Sequence, residues 1–305
     1  MQRDFGSTAL RVLVALIAAT GIRAANAQPA PIAIDDTNVF PESLDAAADG
    51  TLYVGSLEKG IIYRAAPGAA KAEIFIRPDT PYRVMVTGVV VDEPRNLLWV
   101  CVTDRLPPAS TTMLRSFDLK SGAAKATYPF PGNGLCNDAI VDRNGVVYVT
   151  DTPGARILRL KPDGDMVTWA QDVRLVGIDG IAWGPGGSMI VNTVTTNKLF
   201  RIDMRPDGWA GAVTELQLSQ PLNGPDGLRP GLNGKLLTTE NRVGKLTEIV
   251  LDGDKATLTV LKEGLVTPTG VARAGNVAWV VEAKFALRAN PAAANPFLVQ
   301  PVPIK

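Results

Sequence analysis

The chain has 305 residues, of which 46% are hydrophobic and 20% are charged, and its formal net charge is +1. This composition excludes a disordered chain, and a near-neutral chain without basic runs lacks the electrostatic surface that nucleic acids require. The absence of histidine removes the usual general base, the Ser-His-Asp triad and the commonest transition-metal ligand. Any catalysis must therefore use carboxylates, amides, hydroxyls or lysine.

The N-terminus has the order of residues that is typical of a secretory signal peptide. In sequence come Arg3 and Arg11, the apolar run 12–22, and Ala25-Asn26-Ala27 before Gln28. An apolar run of this length is too short to cross a bilayer core, which needs about twenty residues. We predict cleavage near Ala27, export to the periplasm or the exterior, and no stable membrane insertion. Loss of residues 1–27 removes three arginines and one aspartate, which changes the formal net charge from +1 to −1.

Residues 28–37 form a Pro/Ala lead-in that we expect to pair with the last blade, and residues 38–305 contain one module six times. Each copy begins with a polar residue and a short apolar strand, followed by a Gly- or Asn-containing turn and a second apolar strand. The copies open at Glu42-Ser43-Leu44, Thr87-Gly88-Val89, Asp138-Ala139-Ile140, Asp179-Gly180-Ile181, Asp226-Gly227-Leu228 and Thr269-Gly270-Val271.

A third and a fourth short strand follow in each copy; in the last copy they are predicted at 285–288 and 297–302. Four strands repeated six times predict an all-β fold, a six-bladed β-propeller of four-stranded antiparallel blades. Because one blade cannot bury both of its faces alone, residues 38–305 are expected to fold as a single domain.

The first strand of each propeller blade lies nearest the axis, so the six opening residues should converge. The predicted ring consists of Glu42, Thr87, Asp138, Asp179, Asp226 and Thr269. Four carboxylates in one partly desolvated site repel one another unless a cation, shared protons or hydrogen bonds compensate. Hard oxygen ligands favour Ca²⁺, with Mn²⁺ and Mg²⁺ as alternatives, whereas a chain with two cysteines and no histidine disfavours Zn²⁺. The alternative is that these residues only cap strands through hydrogen bonds to the backbone.

Four short motifs carry a resemblance that spans the whole chain after residue 27. They are Pro41-Glu42-Ser43, Cys136-Asn137-Asp138-Ala139, Ile178-Asp179-Gly180 and Pro225-Asp226-Gly227. They resemble the senescence-marker-protein/gluconolactonase family, which includes regucalcin-like proteins. The resemblance implies a divalent metal held by Glu42, Asp179 and Asp226, with Asn137 contacting the substrate or the water of the metal.

The resemblance further implies an exported, metal-dependent hydrolase that acts on a small-molecule lactone or related ester. In such an enzyme Asp226 or Asp138 is the candidate catalytic base.

Two positions depart from the family pattern. Asp179 stands where the family usually has asparagine, and Leu135 stands where an arginine often holds sugar acids. The second departure favours an apolar or uncharged substrate. The oligomeric state does not follow from the sequence.

Several polar residues end the second strands, where side chains commonly cap the backbone. They are Asp104, Asp151, Asn192, Glu240 and Glu282. We predict a structural role for them, although Glu282 has an alternative because the related strictosidine synthase propellers use a sixth-blade glutamate without a metal. Cys101 and Cys136 either form a disulfide or remain two buried thiols. Two rival functions stay open: a non-catalytic binding propeller of the NHL-repeat type, and a metal-free enzyme of the strictosidine synthase kind.

Overall fold

A computed structural model describes residues 29–78, 84–105, 110–132 and 134–305, together with Met1. The strands in these residues are β1 (Ile32–Ile34), β2 (Pro41–Ala46), β3 (Leu52–Ser56), β4 (Ile62–Ala65), β5 (Glu73–Ile76), β6 (Val84–Asp92), β7 (Leu97–Asp104), β8 (Thr111–Asp118), β9 (Ala124–Pro129), β10 (Cys136–Val141), β11 (Val147–Asp151), β12 (Arg156–Leu160), β13 (Met166–Gln171), β14 (Ile178–Trp183), β15 (Met189–Thr193), β16 (Lys198–Met204), β17 (Ala210–Glu215), β18 (Gln217–Leu218), β19 (Pro225–Pro230), β20 (Leu236–Glu240), β21 (Lys245–Asp252), β22 (Lys255–Lys262), β23 (Pro268–Ala274), β24 (Val277–Glu282) and β25 (Phe297–Pro303).

Helical structure in the same residues is confined to short 3₁₀ turns. They are Glu93–Arg95, Val173–Leu175, Pro185–Gly187, Phe285–Leu287 and Pro291–Ala294. No helix in the described ranges is long and apolar enough to cross a membrane. The predicted signal peptide, apart from Met1, lies outside the described residues.

Six sheets confirm the predicted six-bladed propeller. Blades one to four are the antiparallel meanders β2–β5, β6–β9, β10–β13 and β14–β17, and blade five is β19–β22 with β18 added in parallel to β22. Alternating side chains of neighbouring blades pack face to face, so apolar clusters lie between the blades. One such cluster joins blades three and four through Ile140, Tyr148, Ile181 and Phe200.

The sixth blade differs from the prediction. The segment predicted as its third strand contains the 3₁₀ turn Phe285–Leu287, so the assignment of 285–288 as a strand was wrong. The third strand is β25, and the fourth is β1, which pairs antiparallel with β25. Lys284 adopts a left-handed φ of 53°, and Pro291 and Pro296 cannot donate a ladder hydrogen bond, which explains why the chain between β24 and β25 is irregular.

The lead-in segment therefore contributes a strand that closes the ring. Ile32 pairs with Val299 and Ile34 pairs with Phe297, and all four side chains are buried. The same segment contacts the first blade, because Asp36 accepts hydrogen bonds from Lys59 and from the hydroxyl of Tyr63, both at 2.7 Å. The N-terminal strand thus ties the last blade to the first.

Every first strand carries a β-bulge at its opening residue. In blade four, for example, Ile178 pairs with Thr193 and Ile181 pairs with Val191, which leaves three steps on β14 opposite two on β15. The other five first strands show register shifts at the equivalent place. A bulge re-aims the side chain at its position, so this irregularity can turn the opening residues toward the axis.

The bulged strands approach so closely that a Cβ atom has no room at several openings. A Cβ added to Gly180 would lie 2.5 Å from the carbonyl oxygen of Asp226, and one added to Gly227 would lie 2.6 Å from that of Thr269. Both contacts are backbone atoms of the neighbouring blade and cannot move aside cheaply. Glycine therefore follows Asp179 and Asp226 for a steric reason.

We predict that Gly180→Ala lowers the free energy of unfolding by about 3 kcal/mol, because the new methyl group overpacks the joint between blades four and five. The control is Gly186→Ala, which has a left-handed φ of 67° but no atom within 4 Å of the added Cβ. The control should lose only about 1 kcal/mol. Urea denaturation of both variants tests this, and equal losses would contradict the steric explanation.

Candidate functional site

Five of the six opening residues line one small cavity between the first strands of the blades. Its walls include the predicted residues Glu42, Asn137, Asp138, Asp179, Asp226 and Thr269, together with Arg229, which the sequence analysis did not select. Thr87 is not part of the cavity wall, because its hydroxyl donates to the carbonyl of Cys136 at 2.6 Å and joins two blades. The cavity offers about 10 Å³ to the centre of a water-sized sphere, which is the room for one water molecule or one ion.

Polar residues of the second strands hold the bulges in place. The backbone N–H of Asp138 donates to the hydroxyl of Thr150, and the N–H of Gly180 donates to the side-chain oxygen of Asn192, both at 2.9 Å. A bulge leaves such an N–H without a partner in the strand ladder, so these side chains satisfy it. Asn192 therefore has the structural role that the sequence predicts.

Three carboxylates of the cavity repel one another, of which Asp179 and Asp226 are buried and Glu42 is half-buried. Burial, followed by the charges of Asp226 and Asp179, raises the pKa of Glu42 well above its ordinary range. Burial and the charge of Asp138 raise the pKa of Asp179 to about 7. Burial and the charge of Asp179 likewise hold the pKa of Asp226 well above its ordinary value. The site thus carries more negative charge than its own surroundings neutralise.

Asp138 differs from these three because a buried arginine neutralises it. The guanidinium of Arg229 donates to Oδ2 of Asp138 at 2.5 Å and to Oδ1 at 2.8 Å, which is a bidentate ion pair. The N–H groups of Ala139 and Ile181 also donate to the same carboxylate. Burial opposes the charge of Arg229, but the charge of Asp138 and these hydrogen bonds raise the pKa of the guanidinium above its ordinary value.

The remaining carboxylates keep oxygen atoms that face the cavity. Oδ2 of Asp226 accepts from the side-chain amide of Asn241 at 2.7 Å. Among the described residues, Glu42 has neither a hydrogen bond nor an ion pair through its carboxylate. The amide of Asn137 donates to the hydroxyl of Thr152 at 2.9 Å, which fixes its orientation. A carboxylate without a partner in a cavity of this size points to a ligand that supplies positive charge.

Sequence reasoning missed Arg229 and Asn241. Arg229 stands three residues after its opening residue, where four of the other copies have the apolar residues Val90, Val141, Ala182 and Ala272. A long cation at an otherwise apolar position of an inner strand was the available signal. Asn241 follows directly after β20 and gave none, since polar residues are routine at strand ends.

The donor set fits a hard divalent cation by its chemistry. Carboxylate and amide oxygens are the ligands that Ca²⁺ prefers, and the cavity wall offers no sulfur or imidazole. Among the residues that the structure describes, no three acidic, histidine or cysteine side chains form a ready-made chelating cluster.

The acids at the ends of the second strands hold loops, as the sequence predicts. Glu282 accepts from the backbone N–H of Val266 at 2.8 Å and from the amide of Gln300 at 2.9 Å. Glu240 accepts from the N–H of Asn223 and from the hydroxyl of Thr247. Because both oxygens of Glu282 are engaged in the same way as those of Glu240, its contacts are those of a loop anchor.

The two cysteines form a disulfide, which resolves the alternative left open by the sequence. Cys101 on β7 and Cys136 on β10 are bonded, with their Cα atoms 5.2 Å apart. The bond links blade two to blade three directly before Asn137. A loop closed over 35 residues stabilises the folded state by about 4 kcal/mol in the chain-entropy view.

Solved structures share this fold at low sequence identity, whereas no protein-family model and no curated protein matches the chain. A gluconolactonase from Xanthomonas campestris aligns with a TM-score of 0.64 and 18% identity over 89% of both chains. Regucalcin from Agrobacterium tumefaciens, a calcium-binding protein, aligns with a TM-score of 0.65 and 15% identity over 90% of this chain and 97% of its own.

A third similar structure has a different activity. It is a catalytically inactive histidine-to-alanine variant of virginiamycin B lyase from Staphylococcus aureus, with a TM-score of 0.62 and 13% identity over 90% of this chain and 99% of its own. These similarities confirm the predicted resemblance at the level of the fold. The proteins that share the fold include enzymes of more than one reaction class.

The raised pKa values predict an unusual pH dependence for the metal-free protein. Between about pH 5 and about pH 7 the unfolded carboxylates are ionised, whereas folded Asp179, with a pKa of about 7, still holds a proton. The folded state then binds more protons, so the free energy of unfolding should fall as pH rises, by about 1.4 kcal/mol per pH unit for each extra proton.

Urea denaturation in EDTA at several pH values measures this slope. Asp118, whose pKa is lowered to about 2 by hydrogen bonds from Ser121, is ionised in both states across the window and does not contribute. The double variant Asp179→Asn/Asp226→Asn should remove most of the slope. A free energy of unfolding that rises from about pH 5 to about pH 7 in the wild type would contradict the account.

Proposed function

We propose that Glu42, Asp179 and Asp226 bind one divalent cation, with Ca²⁺ preferred over Mn²⁺ and Mg²⁺, and that the protein hydrolyses a lactone or related ester. The observation that carries this proposal is the cavity of ionic size whose three carboxylates have raised pKa values and, for Glu42, no partner among the described residues. A cation would draw these carboxylates together and remove their mutual repulsion. When bound, such a cation supplies Lewis acidity toward a carbonyl oxygen.

Asp226 is the preferred catalytic base. Both oxygens of Asp138 are bound by Arg229, so Asp138 is poorly placed to accept a proton. Asp226 has no ion pair among the described residues, although its carboxylate accepts hydrogen bonds from Asn241 and from the N–H of Gly227. Oδ1 of Asp226 would take a proton from water as the water oxygen bonds to the carbonyl carbon. The proton then passes to the departing alkoxide oxygen as the ester C–O bond breaks.

The substrate would bind at the mouth of the cavity, because the cavity itself has room for only an ion or a water molecule. Asn137 lines the wall with its amide fixed by Thr152, and it would orient the substrate or the attacking water. Leu135, half-buried beside this strand, offers no charge for a sugar acid. These features favour an apolar or uncharged lactone.

The chemistry of the chain disfavours the lyase reaction of the similar structure. The inactive lyase variant lacks a histidine, and this chain contains none. The contacts of Glu282 give no support to a metal-free mechanism on that residue. The gluconolactonase and the calcium-binding regucalcin support a hydrolase that uses Ca²⁺, and the disulfide supports the proposed export to the periplasm or the exterior.

Hydrolysis of a panel of lactones by the purified protein, with and without EDTA, tests the proposal. We expect metal-dependent hydrolysis that is faster for apolar lactones than for gluconolactone. Glu42→Gln should weaken Ca²⁺ binding by about 100-fold or more, since even changes outside the ligand shell cost about 10- to 100-fold. Asp226→Asn should lower kcat by about 10²- to 10⁴-fold, the contribution of a general base.

Glu282→Gln is the matched control, because it alters a buried acid that anchors a loop outside the cavity. This variant should lower stability and leave the metal-dependent activity intact. Loss of activity in Glu282→Gln with an unchanged Glu42→Gln would favour the metal-free mechanism. A wild type without bound metal and without hydrolysis of any ester in the panel would favour a binding propeller.

A further inference from the structure

Arg229 is a buried cation at the centre of the propeller that the proposed reaction does not use. It lies on β19, three residues after Asp226, and is only 7% exposed. Its guanidinium reaches from blade five to blades two and three, where it donates to the carbonyl of Val89 at 3.4 Å and to Asp138. It also donates to the carbonyl of Leu228 at 2.9 Å. One side chain thus connects three inner strands across the axis.

The charge of this guanidinium is surrounded by acids of three other blades. Asp138 contacts it directly, and the charges of Asp45 and Glu42 also act on it. Its charge in turn acts on Asp179. Among the residues that the structure describes, Arg229 is the only basic side chain in the cavity wall. Removal of it would leave the buried Asp138 and the half-buried Asp45 without a counter-charge, and proteins avoid an unpaired buried charge with a partner or a metal.

We infer that Arg229 is a fixed internal cation that replaces a second metal ion on the propeller axis and restricts the axis to one exchangeable cation. This inference rests on the proposed function in one respect: the proposed metal site sets the number of ions that we expect in the wild type. Arg229 engages both oxygens of Asp138 and so withholds this carboxylate from the cation. The remaining acids, Glu42, Asp179 and Asp226, form the exchangeable site. Arg229 is therefore a positioning and specificity-determining residue, not a catalytic one.

The direct test is the number of Ca²⁺ ions bound per chain in Arg229→Met, measured by calorimetry and by metal analysis after dialysis. Methionine keeps the apolar part of the side chain and removes the charge. We expect one Ca²⁺ in the wild type and two in Arg229→Met, the second bound by Asp138 and Asp45. We also expect Ca²⁺ to raise the midpoint of urea denaturation of Arg229→Met far more than that of the wild type.

Three further variants separate the charge from general packing. Arg229→Lys keeps the charge and should keep one Ca²⁺, which also covers the case that Arg229→Met folds only with metal present. Arg229→Met/Asp138→Asn should lose the second ion and regain stability in EDTA. Arg156→Met is the control, because Arg156 pairs with the buried Asp151 at 2.7 Å away from the cavity. It should lose stability without any gain in Ca²⁺ binding or Ca²⁺ dependence.

The outcomes distinguish this inference from the proposed function. If the wild type binds no Ca²⁺ and Arg229→Met binds one, the proposed metal site fails while the internal cation is supported. If Arg229→Met binds the same number of ions as the wild type and gains no more stability from Ca²⁺, the internal cation is overturned. The lactone panel is not needed for either result.

Discussion

The close approach of six inner strands around one axis is the constraint on which the rest of the structure depends. Each first strand must bulge at its opening residue, and Gly180 and Gly227 follow that residue because a Cβ would meet a backbone oxygen of the next blade. The same crowding turns polar residues from five blades into one cavity. Second-strand side chains such as Thr150 and Asn192 satisfy the N–H groups that the bulges release. The geometry of the site is therefore a consequence of how the ring closes.

This crowding brings several carboxylates close together, and the chain neutralises only part of their charge. Arg229 neutralises Asp138 deep in the cavity, and the N–H of Val91 and that of Ala46 hold Asp45. Burial and the charges of neighbouring carboxylates raise the pKa values of Glu42, Asp179 and Asp226, and no basic side chain of the described residues forms an ion pair with them. An arrangement with one fixed positive charge and one uncompensated set of carboxylates is suited to a single exchangeable cation. Because Arg229 neutralises Asp138, this arrangement also favours Asp226 over Asp138 as the catalytic base.

Local sequence patterns were sufficient to predict most of the fold. Contacts between residues that are far apart in the sequence could not be predicted in this way. Turn residues and alternating apolar positions recur with each blade, so the six-bladed architecture and the convergence of the acids could be predicted. The apolar segment 285–288 resembles a strand locally, but the strand that completes blade six comes from the other end of the chain, at Ile32–Ile34. The pairing of Arg229 with Asp138 joins residues 91 positions apart. No local sequence pattern predicts a contact of this kind or the disulfide.

The central claim is that the three uncompensated carboxylates share one divalent cation. The most direct measurement is anomalous diffraction at the manganese edge from crystals soaked in Mn²⁺, which locates each bound ion without reference to activity. The account predicts one strong peak bounded by Glu42, Asp179 and Asp226, and none beside Arg229. Crystals that show no peak between these carboxylates, or a peak in contact with Asp138 while Arg229 keeps its place, would contradict it.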